Sequence, residues 1–444
     1  MALPTILINS SGSNTAASGA GPSTALSGTA AALASSTTVT LSVDAPDLSG
    51  VATDGSAVIW VDASSGRQFA KITAVDNVLK TVTVSDAYAV TESSRNWGIG
   101  GKRASLGGSL QLGLDVRAGW SIDVQTGETL TATWRLNPNN ATSGSPVTLY
   151  SSASTHSGGL LTGPILTTST NAVQGLDIAG ADSIQVKGIY FKSTAATPGT
   201  GIGPASASGC IAVTISDCVV DGFNIGIRDI DSGNNVNIQG LILERVEVLN
   251  CKADGVKLQN GNGRCKMDGC YIHGNNTGGT VAIGGVTIDV GDLAATHCIF
   301  DGNKVSNVYA TLNGARCCEF SNCVFSNAPA SSDGLFLNDN GGAALMLKNC
   351  IIYGNAAYGV NGSSSTLSGL DSFINLNNAY GANTTADRRY IGAGTGDVSL
   401  SANPFTSSTD FKLNNTAGGG AACKNAGATP LGSATVPVPD IGAY

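Results

Sequence analysis

Charge is scarce in this chain: 12% of its 444 residues are Asp, Glu, Lys or Arg, and the balance leaves a net charge of -8. That excludes nucleic acid as a main partner, because phosphate binding needs clustered Lys and Arg, and the pairs Lys102-Arg103 and Arg388-Arg389 stand isolated. Long apolar runs are missing too. No stretch approaches the roughly 18–20 apolar residues of a membrane span, so no membrane partner is expected. The start, Met1-Ala2-Leu3-Pro4, lacks a basic n-region and a long apolar h-region, so no secretory signal is read there. No CxxC pair has metal spacing, and no cofactor or metal is expected. Aromatic residues make only 5%, which weighs against a sugar-stacking groove; Trp60, Trp97, Trp120 and Trp134 lie early in the chain, mostly at positions suited to a core.

Glycine is plentiful, at 59 residues without a G-X-Y period, which excludes collagen and suits a turn-rich all-β chain. The 42% of hydrophobic residues supply a sizeable core, and the length allows two or three domains. The 11 cysteines form an odd set. Five recur at one place of a repeat, where a free thiol behaves as a small buried hydrophobe. Such thiols suit folding in a reducing cytoplasm.

The repeat runs from Ile211 to Asn378. Its first phrase reads Asp217-Cys218-Val219-Val220-Asp221-Gly222, Gly269-Cys270-Tyr271-Ile272-His273-Gly274-Asn275, His297-Cys298-Ile299-Phe300-Asp301-Gly302-Asn303, Asn322-Cys323-Val324-Phe325-Ser326-Asn327 and Asn349-Cys350-Ile351-Ile352-Tyr353-Gly354-Asn355. Arg245–Asn250 and Asp371–Asn375 read as the same phrase with Val and Ser in the cysteine place. A second phrase follows, as in Gly226-Ile227-Arg228, Gly255-Val256-Lys257-Leu258 and Gly285-Val286-Thr287-Ile288, and a third apolar run such as Leu241-Ile242-Leu243 closes the unit. Spacings of this size mark a stacked repeat, and short apolar alternations mark strands. Three strands per turn describe a parallel β-helix. Its predicted inward ladder contains Cys218, Cys270, Cys298, Cys323 and Cys350, with Asn275, Asn303, Asn355 and Asn377 as a stacked amide ladder.

Residues 1–36, rich in Ser, Ala, Gly and Thr, read either as a disordered tail or as an extended N-terminal arm that orders against a partner; the arm is carried forward. Residues 37–103 read as a small β-barrel or sandwich, with strands expected at Thr38–Val43, Ala57–Val61, Gln68–Val75, Thr81–Val84 and Asn96–Ile99. Asp44, Asp47 and Asp54 suit turns better than calcium ligands. The helix is expected to fill residues 104–444. Ala118–Gly127 followed by Pro146–Tyr150 resembles the opening coils of right-handed parallel β-helix proteins of the pectate-lyase-like superfamily, with Trp120 where Asp is usual. The ending Val438–Tyr444 resembles that superfamily's last-coil phrase.

That superfamily includes pectin-type lyases, polygalacturonases and spikes of tailed bacteriophages. The Arg-x-Pro-x-x-Arg strand of the lyases and the Asn-Thr-Asp, Gly-His-Gly and Arg-Ile-Lys set of the polygalacturonases are absent. Of the 3 histidines, His273 and His297 fall in repeat turns or strand starts and read as surface residues rather than acid–base groups; His156 lies outside the repeats. The best surviving catalytic candidates are polar residues on the second strand: Arg228, Lys257, Asp229, Asp231 and Asp289, with Thr287 and Gln259 beside them. Coils stack about 4.8 Å apart, so such groups could serve a glycosidase or lyase. Equally, the outer faces of any β-helix are polar, and the same holds for Asp292, Asp333 and Asp339.

The resemblance and the missing signatures point to a structural virion protein of a tailed bacteriophage, a spike, fibre or capsid decoration, ahead of an enzyme. Residues 1–103 would attach it to other virion proteins, and a homotrimer is expected by analogy. The rival readings are a polysaccharide lyase or glycoside hydrolase, with polysaccharide as ligand, and a bacterial surface adhesin.

Overall fold

The architecture is that of a computed structural model, which describes residues 5–8, 26–33, 37–45, 47–48, 51, 53, 58–63, 66–85, 91–99, 121–125, 127–130, 133–134, 136, 146–157, 160–178, 183–204, 212–229, 240–259, 264–278, 284–289, 291–312, 317–339, 343–363, 370–408, 410–427 and 440–442. Nearly all its regular structure is β; the one described α-helix is the short turn Gly420–Cys423. The chain divides into two compact units, Met1–Phe191 with Pro204–Ala212, and Lys192–Gly203 with Val213–Tyr444.

The first unit holds a closed antiparallel barrel of Leu26–Leu33, Thr38–Leu41, Thr81–Val84, Gly66–Asp76, Val58–Ala63 and Glu92–Ile99, in that spatial order. Alternation builds its core: Val39, Leu41, Ile59, Val61, Ala70, Ile72, Val82, Val84, Trp97 and Ile99 all point inward. Five of the six strands overlap those expected from the sequence, and the sixth comes from the stretch read as an arm. That stretch gives a second strand. Thr5–Ile8 pairs in parallel with Ser121–Val124, which pairs with Val147–Tyr150 and through it with Ser183–Lys187. The barrel is therefore threaded between two adjacent parallel strands. Trp97 and Trp134 are buried; Trp120 and the side chain of Trp60 lie outside the described residues.

The second unit is a parallel β-helix with three faces. The first face stacks Ala212–Ser216, Leu241–Glu244, Arg264–Asp268, Asp292–Thr296, Cys317–Ser321, Ala343–Lys348 and Leu370–Leu376. The second stacks Val219–Asp221, Glu247–Leu249, Tyr271–His273, Ile299–Asp301, Val324–Ser326, Ile351–Tyr353, Ala379–Gly381 and Val398–Ser399. The third stacks Thr200–Gly203, Ile225–Arg228, Val256–Leu258, Val286–Ile288, Ser306–Leu312, Asp333–Asp339, Tyr358–Gly362 and Ala386–Arg389.

The repeated phrase is explained by two left-handed corners in each coil. Between the first and second faces stand Asp217, Arg245, Gly269, His297, Asn322, Asn349 and Asn377, with φ between 51° and 61°. Between the second and third stand Gly222, Asn250, Gly274, Gly302, Asn327, Gly354 and Ala382, all at positive φ. Glycine and Asn reach this region most easily, which is why the phrase ends on them. After each corner the next side chain turns inward. Cys218, Cys270, Cys298, Cys323 and Cys350 follow the first corner, so they sit at the bend rather than within a strand, with Val246 and Asn378 in the same column.

The interior is apolar through most of its length. A row of Val220, Val248, Ile272, Phe300, Phe325 and Ile352 lines the second face, and the Phe300 and Phe325 rings stack at 5.1 Å. In the last coil the lining turns polar. Arg388 Nη1 donates to Asp397 Oδ2 at 2.7 Å, Asn378 Nδ2 donates to Asn375 Oδ1 at 2.6 Å, and Tyr380 donates to the same Asn375 oxygen at 3.3 Å. These groups satisfy one another, as buried polar groups must, and they close the apolar column.

Outside the second face the row Tyr271, Ile299, Val324, Ile351 and Ala379 is also apolar. It is covered by the C-terminal segment: Leu400, Phe405, Phe411, Cys423 and Ile441 pack on it as one cluster. Of the ending expected to form a last coil, the described residues 440–442 lie against this cluster as part of an external strap. Ile441 N–H donates to Cys423 O at 3.0 Å, and Gly442 N–H to Asn349 O at 2.8 Å. The apolar outer row needed cover, and alternation alone does not say from where it comes.

Candidate functional site

The polar row proposed from the sequence lies on the outer side of the third face. Register places Arg228, Lys257, Thr287, Tyr309, Phe336, Asn361 and Arg389 in successive coils. Asp229, Gln259 and Asp289 stand just beyond Arg228, Lys257 and Thr287. Asp231 lies outside the described residues.

These residues are tied together from coil to coil. Gln259 N–H donates to Asp229 Oδ1 at 2.8 Å, and Gln259 Nε2 donates to Asp289 Oδ2 at 3.0 Å. Lys257 Nζ lies 3.6 Å from Asp289 Oδ2 and 3.9 Å from Asp254 Oδ2. Asp254 also accepts the hydroxyl of Thr287, which accepts Gly284 N–H at 3.0 Å. Burial raises the Asp254 carboxyl to about 6, against the opposing pull of Thr287 and Lys257.

Asp254 is the member that sequence reasoning missed. It stands at the corner before the third face, three residues ahead of Lys257, in the row that continues through Gly284, Ser306, Asp333 and Tyr358. Asp333 repeats its arrangement, since Asn361 Nδ2 donates to Asp333 Oδ2 at 2.9 Å and Tyr358 N–H to Oδ1 at 2.9 Å. Desolvation raises the Asp333 carboxyl as well. A signal was present in the aligned Asp254-Gly255 and Asp333-Gly334 pairs.

Two carboxylates can cleave a glycoside only if substrate reaches them. Asp254 is 1% exposed and Asp229 5%, and both accept bonds from the next coil. The row is thus a lattice joining coils, with the carboxylates of Asp229 and Asp254 buried and Arg228, Lys257, Gln259 and Asp289 partly exposed.

The two predicted ladders differ in outcome. The five thiols are reduced, and each donates to the carbonyl two residues earlier, as Cys218 does to Ser216 O and Cys298 to Thr296 O, both at 3.1 Å. Burial pushes Cys270, Cys298 and Cys323 well above the ordinary thiol range. Asn275, Asn303 and Asn355 follow the second corner and are buried. Asn275 Nδ2 donates to Asn303 Oδ1 at 2.9 Å and to Val248 O at 3.0 Å. Ala328 interrupts the column, and Asn307 fills the gap, linking Asn303 to Asn355. The next member is Asn383, which accepts from Asn355 Nδ2 at 2.9 Å. Asn377 is not brought into this column; it occupies a first corner and donates to Ala426 O at 2.8 Å. The reason is register: Ile351 pairs with Ala379, so Asn378 rather than Ser372 holds the cysteine place.

A further titratable group lies on the second face. His273 Nε2 is 2.9 Å from Glu247 Oε1 and stacks on the Tyr271 ring at 3.9 Å, beside Asp301, which accepts from Ser326 and Asn327. His297 Nδ1 meets Asp268 Oδ1 at 3.0 Å on an exposed corner. Among the described residues, no group of His, Cys, Asp and Glu is arranged to hold a metal, and no helix is long and apolar enough to cross a membrane.

The architecture makes this a right-handed parallel β-helix protein. Residues 200–379 match the family model described as "Right handed beta helix region". No curated protein sequence matches. Among solved structures, the chain is similar to pectate lyase Pel9A at 13% identity, over 74% of this chain and 88% of that one, with a TM-score of 0.38. It is similar to the Pseudomonas phage phi297 tailspike gp61 at 16% identity, over 84% and 66%, with a TM-score of 0.33. The Gp54 tailspike of Acinetobacter baumannii bacteriophage AP22, solved with capsular saccharide, matches at 9% identity over 88% and 65%, with a TM-score of 0.23. The chain spans about two thirds of the length of these two tailspikes.

Proposed function

We propose that this chain is a structural protein of a tailed-phage virion, a β-helical spike, fibre or decoration held by its N-terminal region and assembled as a homotrimer. The observation that carries this reading is the third face: Asp229, Asp254, Gln259 and Thr287 are engaged in coil-to-coil bonds, which stiffen a shaft and leave little for chemistry. Buried reduced thiols agree with assembly in a reducing compartment. The barrel offers an attachment point at Val43, Val78 and Leu79, which are 86%, 91% and 67% exposed. The Val78–Leu79 turn is held firm by Asp76 Oδ1, which accepts both of its backbone N–H groups. Light scattering of the purified full chain should give the mass of a trimer; a monomer at micromolar concentration overturns the assembly. Val78→Asp with Leu79→Asp should leave the barrel folded and abolish incorporation into particles; normal incorporation would remove the barrel from attachment.

A polysaccharide-cleaving enzyme is the second reading, favoured by the surface pair Lys257 and Asp289 above a carboxyl raised to about 6. Depolymerisation of an acidic polysaccharide that is lost in Lys257→Ala would establish it over the first.

A further inference from the structure

The last coil ends differently on its three faces. On the first, Leu376 bridges in parallel to Thr395; on the second, Ala379–Gly381 pairs with Val398–Ser399. On the third, Ala386–Arg389 pairs with Tyr358–Gly362 on one side and, among the described residues, with nothing on the other. Tyr390 follows with φ at 59° and turns the chain out of the strand. The interior is already closed by Asn375, Tyr380, Arg388 and Asp397, so no apolar column asks for another coil. What remains is a backbone edge, a row of N–H and C=O groups able to take one more strand.

Arg389 stands at the end of this edge. Its guanidinium lies 5.3 Å from the Tyr358 ring centroid and 4.8 Å from that of Tyr390, and its Nη2 donates to the Tyr390 hydroxyl at 3.2 Å. Both rings hold it in place by cation–π attraction. Arg245, Arg264 and Arg388 each have a carboxylate within 3 Å, namely Asp217, Glu319 and Asp397. Among the described residues Arg389 has none so close; the Asp333 carboxylate, already accepting from Asn361 and Tyr358, acts on it from farther off. A fixed fork with free donors on an exposed Tyr–Arg–Tyr cluster matches a carboxylate, and such clusters dominate protein interfaces.

We propose that Ala386–Arg389 is a docking edge for an extended, acidic segment of a partner polypeptide, which adds as a strand and sets a carboxylate on Arg389. A polypeptide fits better than a sugar because the edge offers alternating donors and acceptors at strand spacing, the complement of another backbone. The proposal does not depend on the partner being a virion protein.

The test uses the full chain and a fluorescent Thr-Val-Asp-Val-Thr peptide at up to millimolar concentration. Amides of residues 386–390 should exchange more slowly with peptide bound. Affinity should fall at least tenfold in Arg389→Glu, at least tenfold when the peptide Asp becomes Asn, and be lost when the peptide amides are N-methylated. Because Arg389 is exposed, Arg389→Glu should keep the wild-type melting curve, which separates lost docking from misfolding. No protection at 386–390, or equal binding of the N-methylated peptide, overturns the proposal. So does binding of tri-galacturonate at Arg389 without binding of the peptide, which would make this a sugar site.

Discussion

At the residue scale, Asp254 carries the clearest electrostatic consequence. Its carboxyl is raised from 3.8 to about 6 by burial, so the fold favours the protonated form. The associated stability is fully present below about pH 4 and is lost as pH rises through 6; at neutral pH the ionised group costs about 3 kcal/mol relative to a solvated one. Asp254→Asn keeps an acceptor for Thr287. It should melt higher than wild type at pH 7.5 and equal to it at pH 4, as followed by thermal denaturation across that range. Asn303 is the opposite case, a neutral group satisfied on every side. Asn303→Ala strands Asn275 N–H and Ile272 O and should cost about 3 kcal/mol in urea denaturation. The thiols give a chemical prediction. Cys317 is half-buried while the other nine described cysteines are buried, and burial pushes Cys318 to about 12. In a Cys210→Ala background, native protein should show one readily labelled thiol, and Cys317→Ala should remove it.

At the scale of elements, the strap and the corners do different work. The corners set the path of each coil through single left-handed residues. The strap covers an apolar outer row that would otherwise be exposed from Tyr271 to Ala379. Phe411 reaches furthest back along it, meeting Tyr271 at 6.0 Å edge-on and Phe405 at 5.1 Å. Phe411→Ala should cost about 3 kcal/mol. Hydrogen exchange should quicken in residues 398–427 while the earlier coils, which contact only their neighbours, keep their protection.

At the scale of the molecule, the first parallel strand precedes the barrel in sequence. Deleting residues 1–103 removes Thr5–Ile8 along with the barrel and leaves Ser121–Val124 with a bare edge. Bare edges recruit other strands, so this truncation should form large aggregates in light scattering. Excision of 26–99 with a short Gly-Ser bridge keeps that strand and should not. A truncation that stays as dispersed as the full chain would show that Thr5–Ile8 protects nothing.

The coil pattern was legible in the sequence because it is local. Inward alternation, corner glycines and the recurring cysteine are set by residues a few positions apart, so the β-helix and five of the six barrel strands could be read directly, while Leu26–Leu33 could not. What joins distant residues could not. Asn377 looked like a ladder member by offset, yet the register Ile351 to Ala379 gives that place to Asn383. Asp254 drew no notice before stacking set Thr287 over it. The strap, the strand Thr5–Ile8 and the open edge at Ala386–Arg389 depend on which surfaces meet after the coils have stacked. The repeating unit follows from sequence alone, because its free energy lies in local sterics and inward burial. Which outer faces are covered, which carboxylates are buried and which edge is left unpaired follow from long-range packing, because those features depend on contacts between residues tens or hundreds of positions apart.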